Sequence, residues 1–348
     1  MKKLELVKNG HLVLKNCKKP SFKKGHSLIR IGCVGACSSD IARGFDSGAY
    51  FYPLVMGHEA MGYVEKTDSS QLKIDDKVVV FPLLPCFKCE SCKSKSYQTC
   101  DDYSYYGSRR DGAYQEYLLV KNWNLLKLPK KIKDADAALV EPTAVMVHVK
   151  NLIKNIYKNE KKFRNTKGAI IGGGFLSLVL SEILINVGTI PPDVYDRNDY
   201  KIKFGKLHGI NIIKSNAIED SKNHSKYDWV VEASGAPISF KNSIDLVKPH
   251  GHILWMSNVS GDVNIPAKSI SMILRKEITI LGSWNSSYLP KGMSDWKETL
   301  SLMKSGISPS KFVTDFVSLE ELPNVLKKFS MHKRRKKDFH SVKAMLKF

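Results

Sequence analysis

Four cysteines, Cys86, Cys89, Cys92 and Cys100, stand in the spacing C-x2-C-x2-C-x7-C. Four thiolates on short loops can close a tetrahedral zinc site with no open position, and a closed site is structural. An iron–sulfur run begins the same way, but its fourth cysteine follows after three residues and precedes proline. Here seven residues intervene and Asp101 follows, so zinc is the better reading. A second set is scattered. Cys37 lies in Gly35-Ala-Cys-Ser-Ser-Asp40, His58 and Glu59 in Gly57-His-Glu59, and Glu141 in Val140-Glu-Pro142. Alone, each is weak, because a single histidine is more often packed or exposed and a single cysteine is usually core. Together they supply one thiolate, one imidazole and one or two carboxylates. That is the ligand set of a catalytic zinc with a position left for substrate or water.

A third constellation is rich in glycine. Gly168-Ala-Ile-Ile-Gly172 reads as a strand, and Gly172-Gly-Gly-Phe-Leu-Ser177 follows it. In a Gly-x-Gly-x-x-Gly turn, backbone N–H groups meet a pyrophosphate at a helix N-terminus. Gly172 and Gly174 fill the first two glycine places, and Phe175 and Leu176 open the helix. Ser177 stands at the third place, where a small residue serves close helix–strand packing. A glycine triplet is by itself only a tight turn. Its context adds Asp196, 24 positions after Gly172, at the end of the next strand-like run. An acid there accepts ribose hydroxyls and repels a 2′-phosphate, which favours NAD over NADP. Arg197 beside it softens that repulsion.

These groups need elements to hold them. A chain of 348 residues exceeds one ordinary core, so two domains are expected. The first part, residues 1–150, carries short β-type runs such as Ser27-Leu-Ile-Arg-Ile-Gly32 and Lys77-Val-Val-Val-Phe81, broken by Gly, Pro and Asp turns. From Lys150 the texture changes. Apolar runs at 168–172, 193–195, 229–232, 252–256 and 278–281 alternate with helical spacing, as in Phe175 to Val187. Such alternation means a parallel sheet, and the fold class is α/β. The expected division is 1–150, carrying a cysteine lobe at 86–100 and completed by 285–348, with a dinucleotide-binding domain at 151–284. Ser318-Leu-Glu-Glu321 reads as a capping box opening a late helix.

Seven cysteines, an odd number, follow no export-type leader, so metal and free thiols are expected rather than a disulfide framework, in a cytoplasmic setting. The segment Ala169 to Ile190 is apolar enough to suggest a membrane span, but its glycines, Glu182 and Asn186 favour a buried strand, turn and helix. The net charge is +21, with lysine spread along the chain. That spread reads as a solvated surface rather than a nucleic-acid face. The densest run, His332-Lys333-Arg334-Arg335-Lys336-Lys337, has no interleaved aromatics.

The order of Cys-x-Ser-Asp, Gly-His-Glu, the cysteine lobe, Glu-Pro and the glycine turn resembles the medium-chain zinc alcohol dehydrogenases over essentially the whole chain. Four strings resemble the polyol branch, the galactitol-1-phosphate 5-dehydrogenases and sorbitol dehydrogenases. They are Tyr52-Pro-Leu-Val-Met-Gly-His-Glu59, Pro82-Leu-Leu-Pro-Cys-Phe-Lys-Cys89, Gly107-Ser-Arg-Arg-Asp-Gly112 and Ile273-Leu-Arg-Lys-Glu-Ile-Thr-Ile-Leu-Gly-Ser-Trp284. The resemblance implies a β-rich GroES-like catalytic domain, a Rossmann-type domain, one catalytic and one structural zinc, and hydride transfer from a secondary alcohol to NAD. It also implies a homo-oligomer, a dimer or tetramer, with a small polyol or polyol phosphate as substrate. Cys37 and His58 would ligate the catalytic zinc, with either Glu59 or Glu141. Ser39 would pass the substrate proton, Asp40 would orient the ligands, and Ser234-Gly235 with Ser257 would line the nicotinamide half. Arg109 or Arg110 would clamp a phosphate; the bland alternative pairs one of them with Asp111 or leaves it on the surface. Many relatives carry a histidine two residues after this aspartate. Here it is Ala42, so bulk water or Glu59 must take the proton beyond Ser39.

Two other classes compete. A non-catalytic, cofactor-binding member would not need Cys37, His58, Glu59 and Ser39 intact. A zinc-dependent nucleic-acid binder would want a basic helix or a histidine pair beside the cysteine lobe, and neither is there. Two zincs per chain fit the enzyme; one fits either alternative.

Overall fold

The computed structural model describes residues 1–333 and 340–348, and the basic run His332 to Lys337 has its side chains outside the described residues. The chain forms two units, Met1–Ala144 with Ser286–Phe348, and Val145–Asn285. The first division falls inside the helix Val140–Tyr157, six residues before the change of texture at Lys150, because the helix continues across it.

In the second unit six parallel strands lie in the order Ile212–Lys214, Asp193–Asp196, Gly168–Ile171, Tyr227–Glu232, Val247–Trp255, Thr279–Gly282. Numbered along the chain this is 3-2-1-4-5-6, the doubly wound Rossmann order. The inner strands read as unbroken apolar runs because both faces are covered. Ala169, Ile170, Val230, Val231, Ile253 and Leu254 are fully buried. Each such Val, Ile or Leu side chain contributes roughly 1.5–3 kcal/mol by leaving water. The helix Phe175–Asn186 follows the first strand directly, as its spacing predicts. Two details differ from expectation. Ile212–Lys214 is a three-residue edge strand, too short to show a period. Val247–Trp255 starts five residues before His252, through Pro249, His250 at φ 57° and Gly251, where the sequence reads as a turn and the register shifts.

The first unit is β-rich. His26–Gly35 and Glu59–Thr67 pair antiparallel at the centre of its largest sheet, and Ala344–Lys347 runs along the other side of His26–Gly35. The register sets Glu59 opposite Gly35 and Met345 opposite Gly35 on the far side, so the chain's last strand reaches the segment that leads to Cys37. The capping box forms as read: the Glu321 N–H donates to the Ser318 hydroxyl at 3.3 Å, the Ser318 N–H donates to the Glu321 carboxylate at 2.8 Å, and the helix Leu322–Lys333 follows. Among the described residues no helix is long and apolar enough to cross a membrane.

Candidate functional site

Cys37, His58 and Glu59 come together in the first unit. Their ligand atoms all lie within 4.8 Å of one another, with His58 and Glu59 buried. Cys37 caps the helix Ser38–Phe45, and Asp40, on its first turn, folds back so that the Cys37 N–H donates to its Oδ2 at 3.3 Å. The other oxygen, Oδ1, faces His58 Nδ1 at 3.5 Å and Arg43 Nη1 at 3.3 Å. Burial opposes charge on Asp40, but His58, Arg43 and the Tyr114 hydroxyl hold its carboxyl down at about 2. It is therefore an anion that fixes the His58 ring through Nδ1 and leaves the second ring nitrogen for a metal. Burial alone would lower the His58 imidazole; Asp40 and Cys37 override it and hold the ring well above its ordinary value.

Glu59 has a partner that sequence reasoning did not supply. Lys343 Nζ lies 2.7 Å from Glu59 Oε1 and 2.6 Å from Oε2, with both side chains almost fully buried. The only signal in the sequence is a lysine inside the apolar run Val342-Lys-Ala-Met-Leu346. Gly35 makes room for this carboxylate, since a Cβ there would lie 2.0 Å from Glu59 Oε2. Glu141 is buried nearby but outside the three-residue group, and it accepts a hydrogen bond from the Tyr105 hydroxyl at 3.2 Å. Burial raises its carboxyl to about 7, reinforced by Glu59 and opposed by His58. Ser39 sits half-buried on the first helical turn with no protein partner for its hydroxyl among the described residues.

The four lobe cysteines also converge within 4.8 Å. Cys86 and Cys92 sulfurs are 3.9 Å apart, as are those of Cys89 and Cys100. Four sulfurs about 2.3 Å from a tetrahedral zinc stand about 3.8 Å apart, so the set fits that ion. Backbone N–H groups of Lys88 and Cys89 point at Cys86 and pull its thiol down to about 6. The lobe is anchored by aromatic edges: Phe87 and Tyr97 pack on Trp123 at 5.0 and 5.3 Å, and Trp123 packs on Phe81 and Tyr288.

Arg109 and Arg110 differ in their surroundings. The Arg109 guanidinium lies 4.0 Å from the Tyr103 ring and 5.1 Å from the exposed Tyr50 ring, and Nη1 donates to the Tyr103 carbonyl. Tyr103 packs on Tyr105, which packs on His58. Arg110 donates through Nε to Ser104 Oγ and lies over Tyr106. Neither pairs with Asp111, which accepts from the Val55 N–H instead.

In the second unit the glycine turn has the expected form. Gly172 has φ +107°, and a Cβ there would lie 2.9 Å from that of Ser234. Gly174 caps the helix with no side-chain bond, so the first N–H groups remain available to an anion. Phe175 is buried, Leu176 half-buried, and Ser177 packs buried at the third place. Asp196 accepts from the Gly173 N–H at 2.6 Å and the Asn198 N–H at 2.8 Å, tying the turn to the second strand and fitting the adenosine end of a dinucleotide. Lys201 Nζ is 3.9 Å from it, and Arg197 is exposed beside it. Gly235 packs against Asn258 and Ser257. Glu232, fully buried and absent from the sequence reading, accepts through one oxygen from the Ser234 N–H and hydroxyl, the Gly235 N–H and the Ser239 hydroxyl.

Two family models match, the alcohol dehydrogenase GroES-like domain over residues 23–130 and the zinc-binding dehydrogenase over residues 193–305. Galactitol 1-phosphate 5-dehydrogenase of Escherichia coli strain K12 is 29% identical over 284 residues, covering 79% of this chain and 80% of that one. Sorbitol dehydrogenase of Bacillus subtilis strain 168 is 28% identical over 327 residues, covering 89% and 88%. The crystal structure of the Escherichia coli galactitol-1-phosphate dehydrogenase superposes with a TM-score of 0.88 at 26% identity, covering 100% of both chains.

Proposed function

The chain belongs to the zinc-type medium-chain alcohol dehydrogenases, and from that premise we propose that it oxidises a secondary hydroxyl of an acyclic polyol, or polyol phosphate, with NAD. The observation that carries this reading is the convergence of Cys37, His58 and Glu59, the last two buried. One thiolate, one imidazole and one carboxylate fit a zinc held by three protein ligands with a fourth position open. Zinc bound there would polarise the substrate hydroxyl, and bound nicotinamide would accept the hydride.

The chain's own residues do the rest. Asp40 holds the His58 ring and the Cys37 backbone in register. Glu59 is favoured over Glu141 as the carboxylate ligand because it belongs to the converging group and its buried Oε2 has no hydrogen-bond partner among the described residues. Ser39, two residues from Cys37 with its hydroxyl uncommitted, takes the substrate proton. Lys343 donates to Glu59 Oε1 and offsets its charge, which favours water over Glu59 as the next acceptor. Cys86, Cys89, Cys92 and Cys100 hold a second, structural zinc. Asp196 supports NAD rather than NADP, with Lys201 and Arg197 reducing the contrast.

Phosphate on the substrate is supported by Arg109, whose guanidinium lies over the Tyr103 and Tyr50 rings while part of its donor edge remains uncommitted. A homo-oligomer is supported in the second unit by the open edge of Thr279–Gly282 and by Ile270 and Leu274, 44% and 74% exposed on the helix Ala267–Arg275. A panel of polyols and polyol phosphates with NAD, read by absorbance of the reduced cofactor, tests the reading. Turnover of secondary polyols supports it; no turnover by zinc-replete protein defeats it.

A further inference from the structure

Tyr114 reaches the residues around the metal set, Asp40 and Gly57, from two sides. It is fully buried, and its hydroxyl donates to Asp40 Oδ2 at 2.9 Å, the oxygen that also receives the Cys37 N–H. Its ring lies against Gly57, the residue before His58. A Cβ on Gly57 would stand 2.6 Å from Tyr114 Cδ1 and 2.8 Å from Cε1, and Gly57 has φ +91°, so the close approach depends on glycine. The two segments are laced by backbone bonds, Tyr114 N–H to the Met56 carbonyl at 2.9 Å and Ala113 N–H to the Gly57 carbonyl at 2.8 Å. The ring thus fixes where the His58 backbone runs, and the hydroxyl fixes the carboxylate that turns the His58 ring and braces the Cys37 backbone.

We propose that Tyr114 is a positioning residue for the catalytic metal, acting through Asp40. The hydroxyl makes the shortest of the contacts to that carboxylate; Arg43 and Cys37 approach only to 3.3 Å and His58 to 3.5 Å. Asp40 is fully buried, so deleting the hydroxyl leaves Oδ2 with one long bond and no exposure to solvent in compensation; the carboxylate turns and the His58 orientation loosens. Partners that orient metal ligands are commonly worth ten- to a hundredfold in metal affinity. Tyr114 stands one step further out, so the effect belongs at the lower end. The inference rests on the reading of Cys37, His58 and Glu59 as a zinc set.

The test compares zinc release from the native holoenzyme and from Tyr114→Phe, which keeps the ring against Gly57 and removes only the hydroxyl. Zinc leaving to excess chelator is followed with a metal-sensitive dye, and Cys37→Ser identifies the phase that belongs to the four-cysteine site. The expected result is a catalytic-site phase about tenfold faster in Tyr114→Phe with the four-cysteine phase unchanged. The unchanged phase also reports that the variant is folded. A hydroxyl that merely stabilises the fold would leave both phases alone or speed both together, and either result overturns the proposal. A native protein that carries a single zinc defeats instead the underlying reading of the metal set.

Discussion

Replacing Arg109 by alanine separates a phosphate-recognising dehydrogenase from one for free polyols. The guanidinium lies over the Tyr103 and Tyr50 rings with one Nη1 donor on the Tyr103 carbonyl, leaving further N–H groups of its planar fork for an anion. A charge-assisted contact to phosphate contributes roughly 1.5–3 kcal/mol, about ten- to a hundredfold in binding. The stacking on the tyrosines contributes about 0.5–1 kcal/mol and is lost for either substrate. Arg109→Ala should therefore raise KM for a polyol phosphate about ten- to a hundredfold, and for the free polyol no more than severalfold. Arg110 is committed to Ser104 and Tyr106, so Arg110→Ala should change both substrates alike. Arg109→Lys keeps the charge without the fork and should recover only part of the loss. The assay is steady-state kinetics at saturating NAD with a matched pair of substrates. Equal effects of Arg109→Ala on both, or a native enzyme indifferent to the phosphate, would refute the reasoning and leave an unphosphorylated polyol as substrate.

Asp196→Ala removes the acceptor of the Gly173 N–H and of the ribose hydroxyls; KM for NAD should rise about tenfold or more and discrimination against NADP should relax, and native kinetics that clearly prefer NADP would contradict the assignment. Lys343→Met leaves the buried Glu59 carboxylate without its cation, at about 3–5 kcal/mol, in the metal-free protein; zinc beside Glu59 should reduce that loss, so urea midpoints of metal-free and zinc-loaded protein should separate, and an equal drop in both would place Glu59 away from the metal. Cys92→Ser should lose one zinc and lower stability, with a change in tryptophan emission because Trp123 packs on Phe87 and Tyr97 of the lobe; unchanged emission and melting would remove zinc from the lobe's support.

What could be read from the sequence was local. The cysteine spacing, the glycine turn and the inner strands of the parallel sheet each declare themselves within a few residues, and Asp196 follows the turn at the end of the next strand. Their physics is short-range: thiolates on one knuckle, N–H groups on one turn, apolar runs covered on both faces. The partners that complete the site lie far off in the chain. Lys343 and Glu59 are 284 positions apart, and Tyr114 and Asp40 are 74 apart. No period or motif links such pairs, and only a lysine in an apolar strand hinted at the first. Glu232 was hidden differently. An acid ending a strand reads as a solvent-facing terminus, whereas here its buried oxygen gathers the turn that carries Ser234. The roles of Arg109 and Arg110, adjacent in sequence, became distinct only when their tyrosine neighbours were in place.

The central claim is that this chain builds two different zinc sites, one closed and one open to substrate. Metal analysis of the purified native protein beside Cys37→Ser tests it most directly. Two zincs per chain are expected in the native protein, and one in a folded, inactive Cys37→Ser. A native protein with one zinc or none, or a Cys37→Ser variant that keeps both zincs and full turnover, would contradict it.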